Sequence, residues 1–184
     1  MNTPKHIPLP QDNELPPETV DLLNSLPPLN IHRLLTLAPN THKPWLDFVA
    51  GIYKGNFDPR LREIAICRYG FKTNSAYELH QHKALARKAG ISSEELEIIC
   101  TEQKVVSLSN EENFICQVVD EFEDLATLTD ETFTKLLERY SVALIMELFT
   151  ILGHYSCVCR VLNASRIPLE AVSPLETCES PLKK

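Results

Sequence analysis

The sequence predicts a single domain built only of α-helices. Apolar residues recur about every 3.6 positions in most segments, and runs of β-branched residues are few. The 184 residues include only five glycines, while prolines and polar clusters divide the chain into short helical segments. We therefore expect one multi-helix bundle at residues 17–172, preceded by a proline-rich tail (1–16) and followed by a C-terminal tail (173–184).

Three helices are predicted in the first third of the chain. The first begins at Pro17, because the missing N–H of proline costs nothing at the first position of a helix, and it ends at the prolines of positions 27–28. The second covers residues 31–38. The third is expected to run from Pro44 to Tyr53.

Two helices in the middle of the chain have clear end signals. Asp58 followed by proline is an N-cap with proline at the first helical position, and this helix should end near Gly70. Asn74 or Ser75 caps the next helix. That helix has basic residues in its last turn and ends at Gly90, which is a strong stop signal.

Four more helices complete the prediction. Three of them begin at Ser92, Ser109 and Thr129, each followed by acidic residues that suit a first helical turn. The last, at about 142–163, is the most apolar segment of the chain, and we expect it to be the central buried helix.

Charge and composition exclude several classes of function. The net charge is −7, from 18 basic and 25 acidic residues, and no basic stripe indicates nucleic-acid binding. We expect no membrane span, because no stretch of 18 apolar residues is evident, and the N-terminus does not resemble a signal peptide. Five of the six cysteines lie in apolar helical segments, as buried free thiols do, which favours a reducing cytoplasm.

The chemistry of the chain is concentrated in two predicted helices. Glu63 and Cys67 are four residues apart on one helix, and Glu78 and His82 are four apart on the next. Residues with this spacing share a helix face, so each pair points in one direction. Ionisable groups beside a core cost free energy unless they are paired or used. These four residues are therefore the best candidates for an active site.

Each candidate also has a structural interpretation. Glu63 is either a general base in an environment of low dielectric constant or a carboxylate paired with Arg60, Arg62 or Arg68. His82 is either oriented by Glu78 for proton transfer or a half-buried surface histidine.

The thiol of Cys67 has two interpretations as well. It could be a nucleophile, but the neighbouring Glu63 would raise the pKa of the thiol, which favours an inert buried cysteine. Tyr77, His154 and Tyr155 are candidates to line a pocket, since a histidine in so apolar a helix needs a partner.

Motifs for bound metals or cofactors are weak or missing. Glu63, Glu78 and His82 form a possible oxygen and nitrogen ligand set, but no spacing resembles a zinc site. The sequence contains no glycine-rich phosphate loop and no Gly-x-Ser-x-Gly nucleophile motif. We therefore expect no metal and no cofactor.

These residues resemble the carboxymuconolactone decarboxylase and alkylhydroperoxidase D-like family. The resemblance rests on the segments 58–66, 77–82 and 90–95, and on Ala143–Leu148 with Gly153–Tyr155, and it extends over about residues 17–170. It implies an all-helical fold, assembly into homo-oligomers (commonly trimers or hexamers) and a small-molecule substrate. It also implies that a glutamate and a histidine take part in proton transfer, and by position these are Glu63 and His82.

One departure from the family pattern affects the expected activity. Peroxidase members have a Cys-x-x-Cys pair before the histidine, and its two positions are Ser75 and Glu78 in this chain. The chain is most similar to the subgroup with Tyr-Glu-x-x-x-His.

Three functions therefore stay open. The first is cofactor-independent acid–base catalysis (decarboxylation, isomerisation or hydrolysis) on a small carbonyl or lactone acid, by Glu63 with His82 and Glu78. The second is a thiol-dependent peroxidase that uses Cys67. The third is a non-catalytic binding protein, in which the pocket is closed or apolar and Glu63 bridges to an arginine.

Overall fold

The computed structural model describes residues 5–183, which form nine α-helices, two short 3₁₀ turns and no β-strand. The all-helical prediction is confirmed. The helices are α1 (Pro17–Ser25), α2 (Asn30–Leu35), α3 (Pro39–Lys54), α4 (Pro59–Lys72), α5 (Ala76–Lys88), α6 (Ser93–Thr101), α7 (Asn110–Leu125), α8 (Asp130–Arg139) and α9 (Val142–Ser165).

The prediction for α2 and α3 was wrong in its boundaries. Helix α2 ends at Leu35, and α3 begins at Pro39, five residues before the expected start at Pro44. Pro39 occupies a first-turn position, where proline is tolerated, whereas Pro44 lies inside the helix and removes one backbone hydrogen bond. Burial of side chains on both sides of Pro44, from His42 to Ile52, outweighs that loss.

Helix α4, and not α9, is the central helix. It packs against α5, α6, α7 and α9, and its residues 63–70 are all buried. A helix that is buried on all sides normally carries few charges, yet α4 contains the buried charged groups Glu63 and Arg68. Arg68 donates to both carboxylate oxygens of Asp120 at 2.7 Å and to three backbone carbonyls, so its charge is fully paired within the core.

Helix α9 differs from the sequence prediction in two ways. Val142 (67% exposed) and Met146 (56%) lie on its surface, so the helix is only partly buried. Its 24 residues are also long and apolar enough, by length and composition alone, for a membrane span, which the sequence analysis did not anticipate. The opposite face packs against the helical core and contributes the buried residues His154 and Tyr155, as in the core helix of a folded domain.

A close approach of α4 to α5 brings the two candidate helices together. A Cβ atom added to Gly70 would lie 3.1 Å from the Leu79 side chain and 3.6 Å from the Cβ of Glu78. A side chain at position 70 would therefore push the Leu79 side chain aside, whereas glycine leaves it in place. The carboxylate-bearing part of α5 is therefore held directly against α4.

The C-terminal segment packs against the domain, whereas the sequence analysis predicted a tail. Leu175 and Cys178 are buried against Leu29 and α5, and Lys88 donates to the backbone carbonyls of Leu175 and Cys178. At the other end, Ile7 donates from its backbone to Ser165 at 3.0 Å, and Leu9 packs against the core, so the described part of the N-terminal tail lies against the helical domain. Residues 1–4 and 184 of the two predicted tails lie outside the described residues.

Candidate active site

The structure brings three of the predicted site residues into one buried cluster. Glu63 comes from α4, and Glu78 and His82 come from α5; none of the three is more than 4% exposed. His82 Nδ1 lies 2.8 Å from Glu63 Oε2, and His82 Nε2 lies 3.0 Å from Glu78 Oε1. The imidazole ring is thus held between two carboxylates, one on each nitrogen.

This arrangement stabilises the protonated form of His82. Burial alone would lower the pKa of His82, but the charges of Glu78 and Glu63 outweigh it and raise the pKa to about 10. An imidazolium donates from both nitrogens, which matches an acceptor on each side. His82 is therefore a buried cation at neutral pH, and the three groups share their protons as a coupled unit.

Glu63 has a second partner on its other oxygen. Arg62 Nε lies 3.1 Å from Glu63 Oε1, and the Arg62 guanidinium lies 4.2 Å from the ring centre of Tyr53. Arg60 and Arg68, the other two arginines considered for Glu63, pair with other acids. Both oxygens of Glu63 are thus occupied, which fixes the carboxylate against Nδ1 of His82.

Glu78 is less fully paired than Glu63. Its Oε1 atom is within ion-pair distance of His82 Nε2 but, in that orientation, accepts no hydrogen bond, although it is buried. A buried carboxylate oxygen without an aligned donor is costly. Glu78 is the member of the cluster that has unused capacity to accept a proton or a hydrogen bond.

A narrow cavity of about 50 Å³ lies beside the cluster. Glu78 and His82 line it, whereas Glu63 does not. Most of the lining is apolar or aromatic, and it includes no lysine or arginine. The lining residues are Leu29, Ile31, His32, Leu35, Trp45, Leu46, Val49, Tyr77, Glu78, Gln81, His82, His154, Tyr155, Val158, Leu175, Pro181 and Leu182.

The three predicted pocket-lining residues all border the cavity. The Tyr155 ring is perpendicular to the His82 ring, with centres 5.1 Å apart, and the His154 ring packs against Trp45 at 5.1 Å. Burial, together with the charge of His82, lowers the pKa of His154 to about 4. His154 is therefore neutral at neutral pH and contributes an aromatic surface and no charge.

Tyr77 is bound to a residue that sequence reasoning missed. The Tyr77 hydroxyl donates to Glu170 at 2.7 Å, and Gln81 donates to the same carboxylate at 2.5 Å. Burial, with the Glu170 charge second, raises the pKa of Tyr77, so its hydroxyl stays protonated. Arg62 is one of the three arginines that the sequence analysis considered for Glu63, and Gln81 lies four residues after Tyr77, but only the fold shows that Glu170 meets Tyr77 and Gln81.

The position of Cys67 does not resemble that of a reactive thiol. Cys67 is fully buried, and burial, followed by the effects of Cys100 and Glu63, raises the pKa of its thiol. Reactive cysteines have a lowered pKa and access to solvent.

All six cysteines lie within the described residues and are free. Cys157 is exposed, contrary to its expected packing role, and Cys178 of the C-terminal segment is buried.

Glu63, Glu78 and His82, the possible metal-ligand set of the sequence analysis, contact one another. Both nitrogens of His82 face carboxylates. Within residues 5–183, no group of three or more His, Cys, Asp or Glu side chains is arranged to hold a metal ion.

The fold and cluster define an all-helical protein with a buried carboxylate–imidazolium–carboxylate unit beside an apolar cavity. The sequence profile of the carboxymuconolactone decarboxylase family matches residues 39–121, a region that contains the whole cluster. The chain is similar to this family over 83 of its 184 residues, and within that region it carries Tyr-Glu-x-x-x-His without the Cys-x-x-Cys pair. No curated protein matches the chain by sequence.

Solved structures show the same fold at low sequence identity. An uncharacterized peroxidase-related protein from Silicibacter sp. TM1040 is 16% identical with a TM-score of 0.79, over 93% of this chain and 96% of that chain. An uncharacterized peroxidase-related protein from Ralstonia eutropha JMP134, described as an alkylhydroperoxidase AhpD core, is 12% identical with a TM-score of 0.77, over 96% and 97%. A protein of unknown function from Agrobacterium tumefaciens is 15% identical with a TM-score of 0.69, over 75% and 96%.

The paired imidazolium makes stability depend on pH. The pKa of His82 is raised in the folded protein, so its stabilising contribution is complete below about pH 6.5 and is lost as the pH rises toward 10. Between about pH 7 and about pH 8, the free energy of unfolding should fall by up to about 1.4 kcal/mol per pH unit. Urea unfolding at several pH values measures this slope.

Two variants isolate the contribution of His82. His82→Gln should flatten the slope, whereas His154→Gln should leave it unchanged, because the pKa of His154 is lowered and the residue is neutral throughout this range. An equal slope in wild type and His82→Gln would show that His82 is not the titrating group.

Proposed function

We propose that the chain is an acid–base enzyme that moves a proton on a small carbonyl or lactone compound. One observation carries the proposal: the Glu78 carboxylate lines the cavity and lies 3.0 Å from a histidine that is protonated at neutral pH. A base and an acid that face one apolar cavity are the minimum for proton abstraction next to a carbonyl. The match of residues 39–121 to the carboxymuconolactone decarboxylase family agrees with chemistry of this kind.

In the proposed reaction, Glu78 is the base. The C–H bond next to the carbonyl breaks, its proton goes to Glu78, and the electron pair moves into an enolate. The positive charge of the His82 imidazolium, whose two nitrogens face Glu63 and Glu78, stabilises the enolate through space, and Glu78 returns the proton to the product. Loss of CO₂ from a lactone acid would form the same kind of enolate, and only the reprotonation step would then be needed.

Glu63 acts through His82 in this proposal. It does not line the cavity, and its two oxygens are held by His82 and Arg62. The role of Glu63 is therefore to hold the imidazole ring and to favour its charged form. The sequence analysis considered Glu63 as the general base, and we now propose Glu78 for that role.

Proton exchange tests this proposal without knowledge of the natural substrate. Wild-type protein should catalyse deuterium exchange next to the carbonyl of some members of a panel of small ketones, esters and lactones in D₂O, followed by ¹H NMR. Glu78→Gln should lower that rate by at least about 100-fold, because the base is lost. Glu63→Gln should have a smaller effect, about tenfold, and should shift the pH profile of the rate.

The exposed Glu176 provides a matched control, since it pairs with Arg87 at the surface. Glu176→Gln should leave the exchange rate unchanged. No exchange by the wild-type protein with any panel member, or full activity in Glu78→Gln, would contradict the proposal.

The thiol peroxidase alternative has support from the descriptions of the structural relatives, two of which are peroxidase-related proteins. In this chain that chemistry would depend on Cys67, because Ser75 and Glu78 occupy the family's cysteine positions. The buried position and raised pKa of Cys67 do not favour it.

Thiol labelling distinguishes this alternative. Dilute iodoacetamide at neutral pH should modify the exposed Cys157 in the native protein and leave Cys67 unmodified, as read by peptide mass spectrometry. Rapid labelling of Cys67, together with peroxide consumption that is lost in Cys67→Ser, would favour the peroxidase.

Two features of the structure agree with the alternative of a non-catalytic binding protein. The cavity is narrow and mostly apolar, and Glu63 does bridge to an arginine. The unused oxygen of Glu78 favours catalysis, since a binding site for apolar ligands has no need of a buried base.

We further propose a homo-oligomer in the cytoplasm. The exposed apolar side chains of Phe48 on α3, Phe133 and Leu137 on α8, and Val142 and Met146 on α9 support a subunit contact. Six free thiols support a reducing compartment. Light scattering should give the mass of a trimer or hexamer, and the mass of a single chain at micromolar concentration would contradict the assembly.

A further inference from the structure

The charge of the cavity lining narrows the class of ligand. His82 is the one lining residue within the described chain that is positively charged at neutral pH, and two carboxylates already neutralise it. His32 and His154 are neutral there, because burial lowers the pKa of each to about 4. A carboxylate ligand would meet the Glu78 carboxylate in the lining and no free cation.

The Glu78 carboxylate, which lines the cavity, also selects a functional group on the ligand. A carboxylate oxygen only accepts hydrogen bonds, so it requires a donor from the ligand. A hydroxyl group supplies one and leaves the rest of the ligand uncharged. Because leaving a buried acceptor unpaired is costly, a ligand without a donor should bind more weakly.

The C-terminal segment, residues 173–183, forms one wall of the cavity. Leu175, Pro181 and Leu182 line it. The segment is anchored by the Ser173 hydroxyl, which donates to Gln81 at 2.6 Å, and by the bonds from Lys88 to its backbone. This wall lies outside the part of the chain that matches the family profile, so it can differ among proteins that share the catalytic cluster.

We propose that the cavity binds a small uncharged hydroxycarbonyl compound, with its hydroxyl group on Glu78 and its apolar body against Leu175 and Leu182. This proposal depends on the proposed function only for the reaction. The class of ligand is tested by binding alone, without turnover. The substrate is then a hydroxyketone, hydroxyester or hydroxylactone, and not the free acid that sequence reasoning included.

Three probes test how the charge and the hydroxyl group of a ligand affect its binding. Methyl 3-hydroxybutanoate, 3-hydroxybutanoate and methyl butanoate share a four-carbon acyl chain and differ in charge or in the hydroxyl group. Titration of the wild-type protein, followed by the NMR signals of His82 and Tyr155, should give a Kd for the hydroxyester at least about tenfold lower than for either other probe. Glu78→Gln should reduce this discrimination, and Glu176→Gln should preserve it.

A longer ligand tests whether the C-terminal wall limits the length of the ligands that the cavity binds. Methyl 3-hydroxyhexanoate should bind wild type more weakly than the shorter ester, because the wall limits length. Leu182→Ala, or removal of residues 180–184, should reverse that order. The control is Val172→Ala, which shortens a side chain that is 70% exposed and outside the cavity lining.

The outcomes separate this inference from the proposed function. Equal or tighter binding of the carboxylate, or no binding of any probe, would overturn the inference. An unchanged length preference in both Leu182→Ala and the truncated protein would overturn the role of the wall. Tight binding of the hydroxyester without deuterium exchange would support the ligand class and contradict the enzyme.

Discussion

The site depends on a buried imidazolium that is held between two carboxylates. Charges of this kind are stable away from water only when each is paired. Glu63, Glu78, His82 and Arg62 bring two negative and two positive charges together, so the cluster as a whole is neutral. Removing any one of the four would leave a charge uncompensated inside the protein. The local structure of α4 and α5 is therefore constrained by electrostatics as much as by packing.

Packing places these charges where they can pair. Gly70 allows α5 to lie against α4, and the aromatic rings of Tyr155 and Tyr53 enclose the cluster from two sides. Where peroxidase members carry the second cysteine of their pair, this chain has Glu78, four residues before His82. At this position the chain has a carboxylate 3.0 Å from the imidazole, where the family pattern has a thiol. This single difference accounts for the proposal of proton transfer on a fold shared with peroxidase-related proteins.

Sequence reasoning found the groups whose positions follow from helical spacing. The all-helical class was predictable from periodicity and end signals, and the contact of Glu78 with His82 from their four-residue spacing. The contact between Glu63 and His82, 19 residues apart, was not predicted: the family resemblance implied that both take part in proton transfer, but whether they meet depends on how two helices cross. Neither source indicated which carboxylate faces the cavity. The C-terminal wall was also missed, because its polar, proline-containing sequence resembles a tail and its burial comes from long-range contacts with α5.

The protonation state of His82 is the central claim of this account. It is measured directly by ¹⁵N NMR of the histidine side chains, since an imidazolium and a neutral imidazole have distinct nitrogen signals. We expect both His82 nitrogens to remain protonated from about pH 6 to about pH 9, while His154 stays neutral, in line with the opposite directions of their pKa shifts. Titration of His82 near its ordinary pKa of about 6.5 would contradict the buried ion cluster and the acid–base function that rests on it.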